Sequence, residues 1–244
     1  MSGDRALPPP PHDDAPGSPV GRRVVLGLLG LAGVGVLLGS RVGSVVTAVA
    51  QRDPTGLTGL IPGNGRFRFY SVVSSVEEVP ATEYLLTVEG MGADPIQVTF
   101  ADLEAMPQTT ITRDVQCVTG WRVPAVTWSG VLLSDLLAHA GAATTAGAVL
   151  FGSSDGAYTE SLSMEQARRP DVLVATSMDG APITHDHGGP VRLYVAPMYF
   201  YKSIKWLDRI TVSDDMVPGY WEVRGYDVDA WVGQSNGRTD DPIA

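Results

Sequence analysis

The sequence contains a single cysteine, Cys117, among 244 residues. No intramolecular disulfide can therefore hold the fold, and stability has to come from packing. It also lacks a basic cluster: 17 Lys and Arg stand against 27 Asp and Glu, a formal net charge of −10. The electrostatic footprint of a nucleic-acid binder is missing, so nucleic acid is not an expected partner. With only four histidines, zinc has little to bind. His185 and His187 flank Asp186, but two histidines so spaced, with no further Cys or His at ligand spacing, make a poor site. No internal repeat or heptad pattern is present.

What the chain does have is 44% apolar residues, enough for one substantial core, unevenly spread. Residues 1–21, with Pro8, Pro9, Pro10, Pro11, Asp13, Asp14, Pro16 and Pro19, carry too little apolar surface to offset ordering entropy and are expected to be disordered. Over 22–50, Arg22 and Arg23 precede an apolar run from Val24 to Gly39 and a small-residue stretch ending Ala48-Val49-Ala50. That is the anatomy of an export signal, and the paired arginines resemble a twin-arginine signal. Residues 24–39 alternatively serve as a membrane anchor, somewhat shorter than the roughly 20 residues a spanning helix prefers. Either outcome places the remainder in the periplasm or on the outer face of the cytoplasmic membrane. Residues 51–65, rich in Gly, Pro and Thr, read as a linker, and 66–244 as the folded domain.

Within that domain, Phe67–Tyr70, Tyr84–Val88 and Ile96–Phe100 show the aromatic and β-branched alternation of strands, which recurs at Ala148–Phe151, Val172–Ala175, Val191–Ala196 and Trp206–Val212. Helices are expected to open at Thr99–Leu103 and over Ser129–Ala138 with Gly141 as the stop. A third is expected over Ser163–Arg169, with Ser163 as N-cap. Strands and short helices without a βαβ rhythm predict a mixed α+β domain.

Cys117 follows a probable strand end and precedes the turn residue Gly120. Three uses of such a residue are open: a small buried core residue, a nucleophile served by a base such as His139 or His185, or a soft thiolate metal ligand.

Cys117-Val118-x-x-Trp121, followed by Trp128-x-Gly130-Val131-x-Leu133, resembles the molybdopterin-binding domain of the sulfite oxidase and protein-methionine-sulfoxide reductase families. Three further stretches resemble that superfamily's cofactor-binding segment in order and spacing: Met178-Asp179-Gly180-x-Pro182, His187-Gly188-Gly189-Pro190-Val191-Arg192-Leu193, and Pro197-x-Tyr199-x-x-Lys202-Ser203-Ile204-Lys205-Trp206. The resemblance spans Phe67 to Trp231 and implies a sulfite-oxidase-type molybdopterin-binding fold, with Cys117 as the protein's ligand to molybdenum. His187, Arg192, Ser203, Ile204 and Lys205 would then hold a phosphorylated pterin. Arg192 suits a bidentate anion contact and Lys205 a point charge, while Gly188 and Gly189 would let the backbone approach closely. Lys202 reads as either a surface charge or a site residue. Trp121, Tyr199, Tyr201 and Trp221 would line the metal pocket or fill the core, and Pro218–Tyr226 is expected to pack against the fold.

Sulfite oxidases typically carry Cys-Ala-Gly-Asn-Arg-Arg at the ligand, against Cys117-Val118-Thr119-Gly120-Trp121-Arg122 here. Arg122 keeps one of those arginine positions and is the candidate substrate contact. The methionine sulfoxide reductases typically carry Cys-Val-Glu-x-Trp, of which Val118 and Trp121 survive and Thr119 replaces the acid. The resemblance thus implies oxygen-atom transfer at a molybdenum-molybdopterin cofactor, on a small S-oxide, N-oxide or oxyanion. Few residues lie outside the domain, so electrons are expected to pass to or from another protein, a membrane cytochrome.

Overall fold

In the computed structural model, which describes residues 67–90, 93–142 and 145–234, the short alternating segments pair into two sheets. The first contains β1 (Leu85–Gly90), β2 (Ala93–Thr99), β5 (Ala148–Ser153), β6 (Thr159–Ser163) and β10 (Leu207–Ser213), in the order β2-β1-β10-β5-β6. Its β1/β10 pair is parallel and its other pairs are antiparallel. The second contains β3 (Gln108–Gln116), β4 (Arg122–Leu132), β7 (Val172–Met178), β8 (Ala181–Pro182) and β9 (Arg192–Val195), in the order β3-β4-β7-β8 with β9 also on β7. Short helices α1 (Phe100–Ala105), α2 (Leu133–His139) and α3 (Met164–Ala167) complete the mixed α+β architecture. No described helix is long and apolar enough to cross a membrane. The export signal or anchor and the linker read from residues 1–65 lie outside the described residues.

Six of the strands fall on segments expected from alternation. Thr99 caps α1 through a capping box, its hydroxyl taking the Asp102 amide while the Asp102 carboxylate takes the Thr99 amide at 2.9 Å, and Ser163 does the same for α3 with Gln166. Such caps stabilise a helix by about 1 kcal/mol each.

Two expectations need correction. Ser129–Leu132 does not open a helix; it continues β4, and α2 starts at Leu133. A Cβ on Gly130 would stand 2.2 Å from the Val174 carbonyl oxygen, so close pairing with β7 overrides the local helical pattern. Phe67–Tyr70 forms no strand; its aromatics line a cavity instead. Strand β3 shows no apolar alternation along the chain, because Val115 is its one buried side chain and its middle, Thr109 to Thr112, is threonine-rich.

Strand β9 shows how the fold feeds the site. Leu193 and Val195 join the main core with Leu86, Val131, Val174, Leu207 and Ile210. Burying each such aliphatic side chain contributes roughly 1.5–3 kcal/mol. Successive strand residues face opposite ways, so Arg192 and Tyr194 meet the second cluster around Trp128, Tyr194 stacking on Trp128 at 5.1 Å.

Candidate active site

Strands β3 and β4 pair as far as Gln116 opposite Arg122, which leaves Cys117–Trp121 as the hairpin tip. The Cys117 amide donates to the Trp121 carbonyl at 2.9 Å, and the Gly120 amide to the Cys117 carbonyl at 3.0 Å. Gly120 takes φ +94°, which glycine adopts without Cβ strain. Trp121 is buried and makes edge contacts with Phe67 and Phe200, anchoring the tip. The half-buried Cys117 Sγ has the Thr119 hydroxyl as hydrogen-bond partner, at 3.2 Å. A cysteine nucleophile requires a base within hydrogen-bond reach; here the partner is a hydroxyl, not the imidazole of His139 or His185.

Cys117 opens onto a cavity of about 430 Å³ that His187, Arg192, Ser203, Ile204 and Lys205 also line. Local geometry brings these five together. The 3₁₀ turn His185–His187 ends at Gly188, with φ +92°, and the Gly188 carbonyl accepts from the Trp206 amide at 3.0 Å. A Cβ on Gly188 would stand 2.5 Å from Lys205 Cβ, and one on Gly189 only 1.9 Å from the Ile183 carbonyl oxygen. Any larger residue would push these two stretches of chain apart.

Arg192 is 2% exposed. Its guanidinium donates to the carbonyls of His187, Leu193 and Ser203 and lies 4.3 Å from the Phe200 ring centroid. Burial pushes its pKa down to about 9. Burial, then the Arg192 charge, pushes Lys205 down to about 8 and lowers His187 as well. Arg192 and Lys205 have no carboxylate ion-pair partner among the described residues. The Asp155 carboxylate in the cavity lining is engaged by the Ala157 and Tyr158 amides at 2.9 and 2.7 Å. An anion entering the cavity would offset the cost of keeping these groups charged.

Other donors are available to such a ligand. Trp121 Nε1 is buried without a hydrogen-bond partner among the described residues. Ser203 Oγ accepts from the Val195 amide at 3.0 Å, which leaves its proton free to donate. A thiol facing cations, a hydroxyl and an orphaned indole N–H is a donor set that fits a phosphorylated pterin whose metal takes a soft sulfur ligand.

Arg122, the residue read as a substrate contact, is not among the residues of this cavity. Strand alternation puts Trp121 on the cavity side and Arg122 at a separate depression with Arg113, Arg169 and Trp231, where it pairs with Asp114 while about half exposed. Lys202 is not a surface charge: its side chain is fully buried, paired with Glu160 and Glu222. Among the aromatics singled out, Trp121, Tyr201 and Trp221 line the cavity, whereas Tyr199 packs against Tyr201 and Ala230.

Pro218–Tyr226 does more than pack against the fold, because Tyr220, Trp221 and Tyr226 face the cavity. Tyr220 stacks on Tyr158 at 5.5 Å, and Tyr226 meets Tyr201 edge-on at 5.4 Å, which makes one wall largely aromatic. The density of aromatics in this short stretch, in a chain only 7% aromatic, was the available signal. Phe67 and Phe69 close on His187 at 4.7 and 4.8 Å, a role that strand-like alternation concealed.

Residues 73–221 match the family model described as oxidoreductase molybdopterin binding domain. The chain is 32% identical to the oxidoreductase YuiH of Bacillus subtilis (strain 168), over 72% of this chain and 92% of that protein. It is 34% identical to a putative protein-methionine-sulfoxide reductase subunit, YedZ1, of Azospira oryzae, over 69% of this chain and 63% of that one. Identity to the sulfite oxidase of Arabidopsis thaliana is 30%, over 59% of this chain and 45% of that protein. The chain thus spans less than two thirds of the latter two relatives. Among solved structures, the sulfane dehydrogenase SoxCD of Paracoccus pantotrophus superposes with a TM-score of 0.57 at 26% identity, covering 63% of this chain and 44% of that one.

Proposed function

The chain belongs to the oxidoreductase molybdopterin binding domain family, and from that premise we propose that it is a molybdenum-cofactor reductase acting on a small neutral S-oxide or N-oxide. The observation that carries the reading is the division of one cavity between a cation-rich face and an aromatic wall. Arg192, Lys205, His187, Ser203 and the backbone around Ile204 would hold the anionic cofactor, with Cys117 as metal ligand. When bound, the cofactor supplies two-electron oxygen-atom exchange, the part of the chemistry that side chains cannot perform. The protein binds and orients: Tyr158, Tyr201, Tyr220, Trp221 and Tyr226 offer apolar ring faces to an uncharged oxide and exclude water from the Cys117 side of the cavity.

An oxyanion such as sulfite is the less favoured substrate, because the cation expected to meet it, Arg122, lies outside the cavity and is neutralised by Asp114. The paired arginines at 22 and 23 and the apolar run from Val24 support export of the folded holoprotein to the periplasm or the outer membrane face. There a membrane cytochrome would be the electron donor.

The test is made on full-length protein from cells supplied with molybdate. Near-stoichiometric molybdenum and pterin are expected, with turnover of dimethyl sulfoxide or methionine sulfoxide by reduced benzyl viologen. Cys117→Ser should keep the fold and grossly alter the metal's spectroscopic signature, since serine is nearly isosteric but a hard ligand. An unchanged signature overturns the ligand assignment, and turnover of sulfite but of neither oxide overturns the substrate class.

A further inference from the structure

The aromatic wall is assembled from three stretches far apart in the chain: Tyr158, Tyr201 and Tyr220–Tyr226. A buried charge cluster joins all three. The side chains of Glu160, Lys202 and Glu222 have no solvent exposure. The Lys202 ammonium donates to Glu160 Oε2 at 2.7 Å, to the Ser161 carbonyl at 2.9 Å and to Glu222 Oε1, which uses all its donors. The second Glu222 oxygen accepts from the Gly219 amide at 2.6 Å. Glu160 follows Tyr158 closely on the same strand edge, Lys202 is next to Tyr201, and Glu222 is next to Trp221.

The C-terminal stretch is also pressed onto β6 through its backbone. The Tyr220 amide donates to the Thr159 carbonyl at 2.9 Å, and the Ser161 hydroxyl to the Val217 carbonyl at 2.8 Å. A Cβ on Gly219 would stand 2.6 Å from the Thr159 carbonyl oxygen and 3.0 Å from Glu160 Cα. Burying an ammonium with two carboxyl groups costs more desolvation than an apolar contact of the same volume would. What the cluster adds is direction: an ammonium with every donor used fixes where each carboxyl group, and the aromatic beside it, can sit.

We propose that Lys202 is a positioning residue whose buried bridge to Glu160 and Glu222 sets the aromatic wall, and through it the affinity for substrate. This rests on the reading that the cavity takes cofactor and substrate together. Lys202 acts through Tyr158, Tyr201, Tyr220, Trp221 and Tyr226 and touches neither reacting atom. Loss of the bridge therefore weakens substrate binding and leaves the chemical step and cofactor loading alone.

The experiment perturbs one docking from two sides. Glu222→Gln weakens the charge side, and Gly219→Ala lifts the backbone off β6 without removing a charge, its Cβ placed 2.6 Å from the Thr159 carbonyl oxygen and 3.1 Å from Glu160 Cδ. In molybdenum-loaded, full-length protein each is expected to raise KM for methionine sulfoxide about tenfold at nearly constant kcat, the signature of lost uniform binding, with molybdenum content unchanged. Acrylamide quenching of tryptophan fluorescence should rise in both variants, and the rise should vanish in a Trp221→Phe background. The proposal is overturned if KM stays put in either variant, if kcat and molybdenum content fall together with it, or if quenching is unchanged. A wild-type protein without molybdenum would sink the proposed function instead, and the quenching measurement would still decide whether the bridge places the wall.

Discussion

The two faces of the cavity are built in opposite ways. The cation-rich face comes from one nearly continuous stretch, His187 to Lys205, in which two glycines let the chain fold back on itself and Arg192 hydrogen-bonds to backbone carbonyls of the same stretch. The aromatic face is collected from remote segments and tied by ion pairs that no solvent reaches. A local face tolerates change elsewhere in the chain. A face gathered over long range depends on each of its ties, so the two should fail differently when broken.

The largest difference is expected from Lys202→Met, which leaves Glu160 and Glu222 buried without their cation. Breaking a buried pair in this way costs about 3–5 kcal/mol, on the order of 10 °C in Tm for a domain of this size. Thermal unfolding followed by circular dichroism checks it; a Tm within a degree or two of wild type would mean that the aromatic face does not depend on its charged tie.

A smaller effect sharpens the comparison through pH. Burial, reinforced by Glu222 and only partly offset by Lys202, pushes the Glu160 carboxyl from 4.5 to about 8. Between those values the folded protein keeps a proton that the unfolded chain has released. This contribution to stability is therefore fully present below 4.5 and is lost as pH rises through about 8. Glu160→Gln, which mimics the protonated form, should flatten the fall of Tm across that window relative to wild type. Parallel Tm profiles for the two proteins would show that Glu160 is already ionised in the folded state at low pH.

The smallest effect belongs to a residue on neither face. Arg122 is half exposed and paired with Asp114, and exposed pairs of this kind contribute less than about 1 kcal/mol. Arg122→Ala should leave methionine sulfoxide turnover within twofold of wild type and Tm nearly unchanged. A tenfold loss of turnover would bring Arg122 back as a substrate contact and break the division of the cavity into two faces.

Much of this molecule is readable along the chain. Alternation located β1, β2, β5, β7, β9 and β10, and Thr99 and Ser163 marked two helix starts through capping boxes. The motif residues Cys117, His187, Arg192, Ser203, Ile204 and Lys205 do share one cavity, because turns and glycines at short spacing determine where a contiguous segment folds back. Ser129–Leu132 misled because β7 supplies what the helical pattern cannot see, a carbonyl 2.2 Å from where a side chain on Gly130 would begin.

The sequence by itself determined the α+β class, the family resemblance and the cation-rich face, all of which rest on spacing and local conformational preference. Only the tertiary structure decided that Lys202 is buried, that Arg122 is not at the cavity, and that Tyr220, Trp221 and Tyr226 wall the site. Whether a charge is buried or hydrated depends on which distant segments cover it, and the desolvation that results belongs to the assembled fold rather than to the residue or its neighbours in the chain.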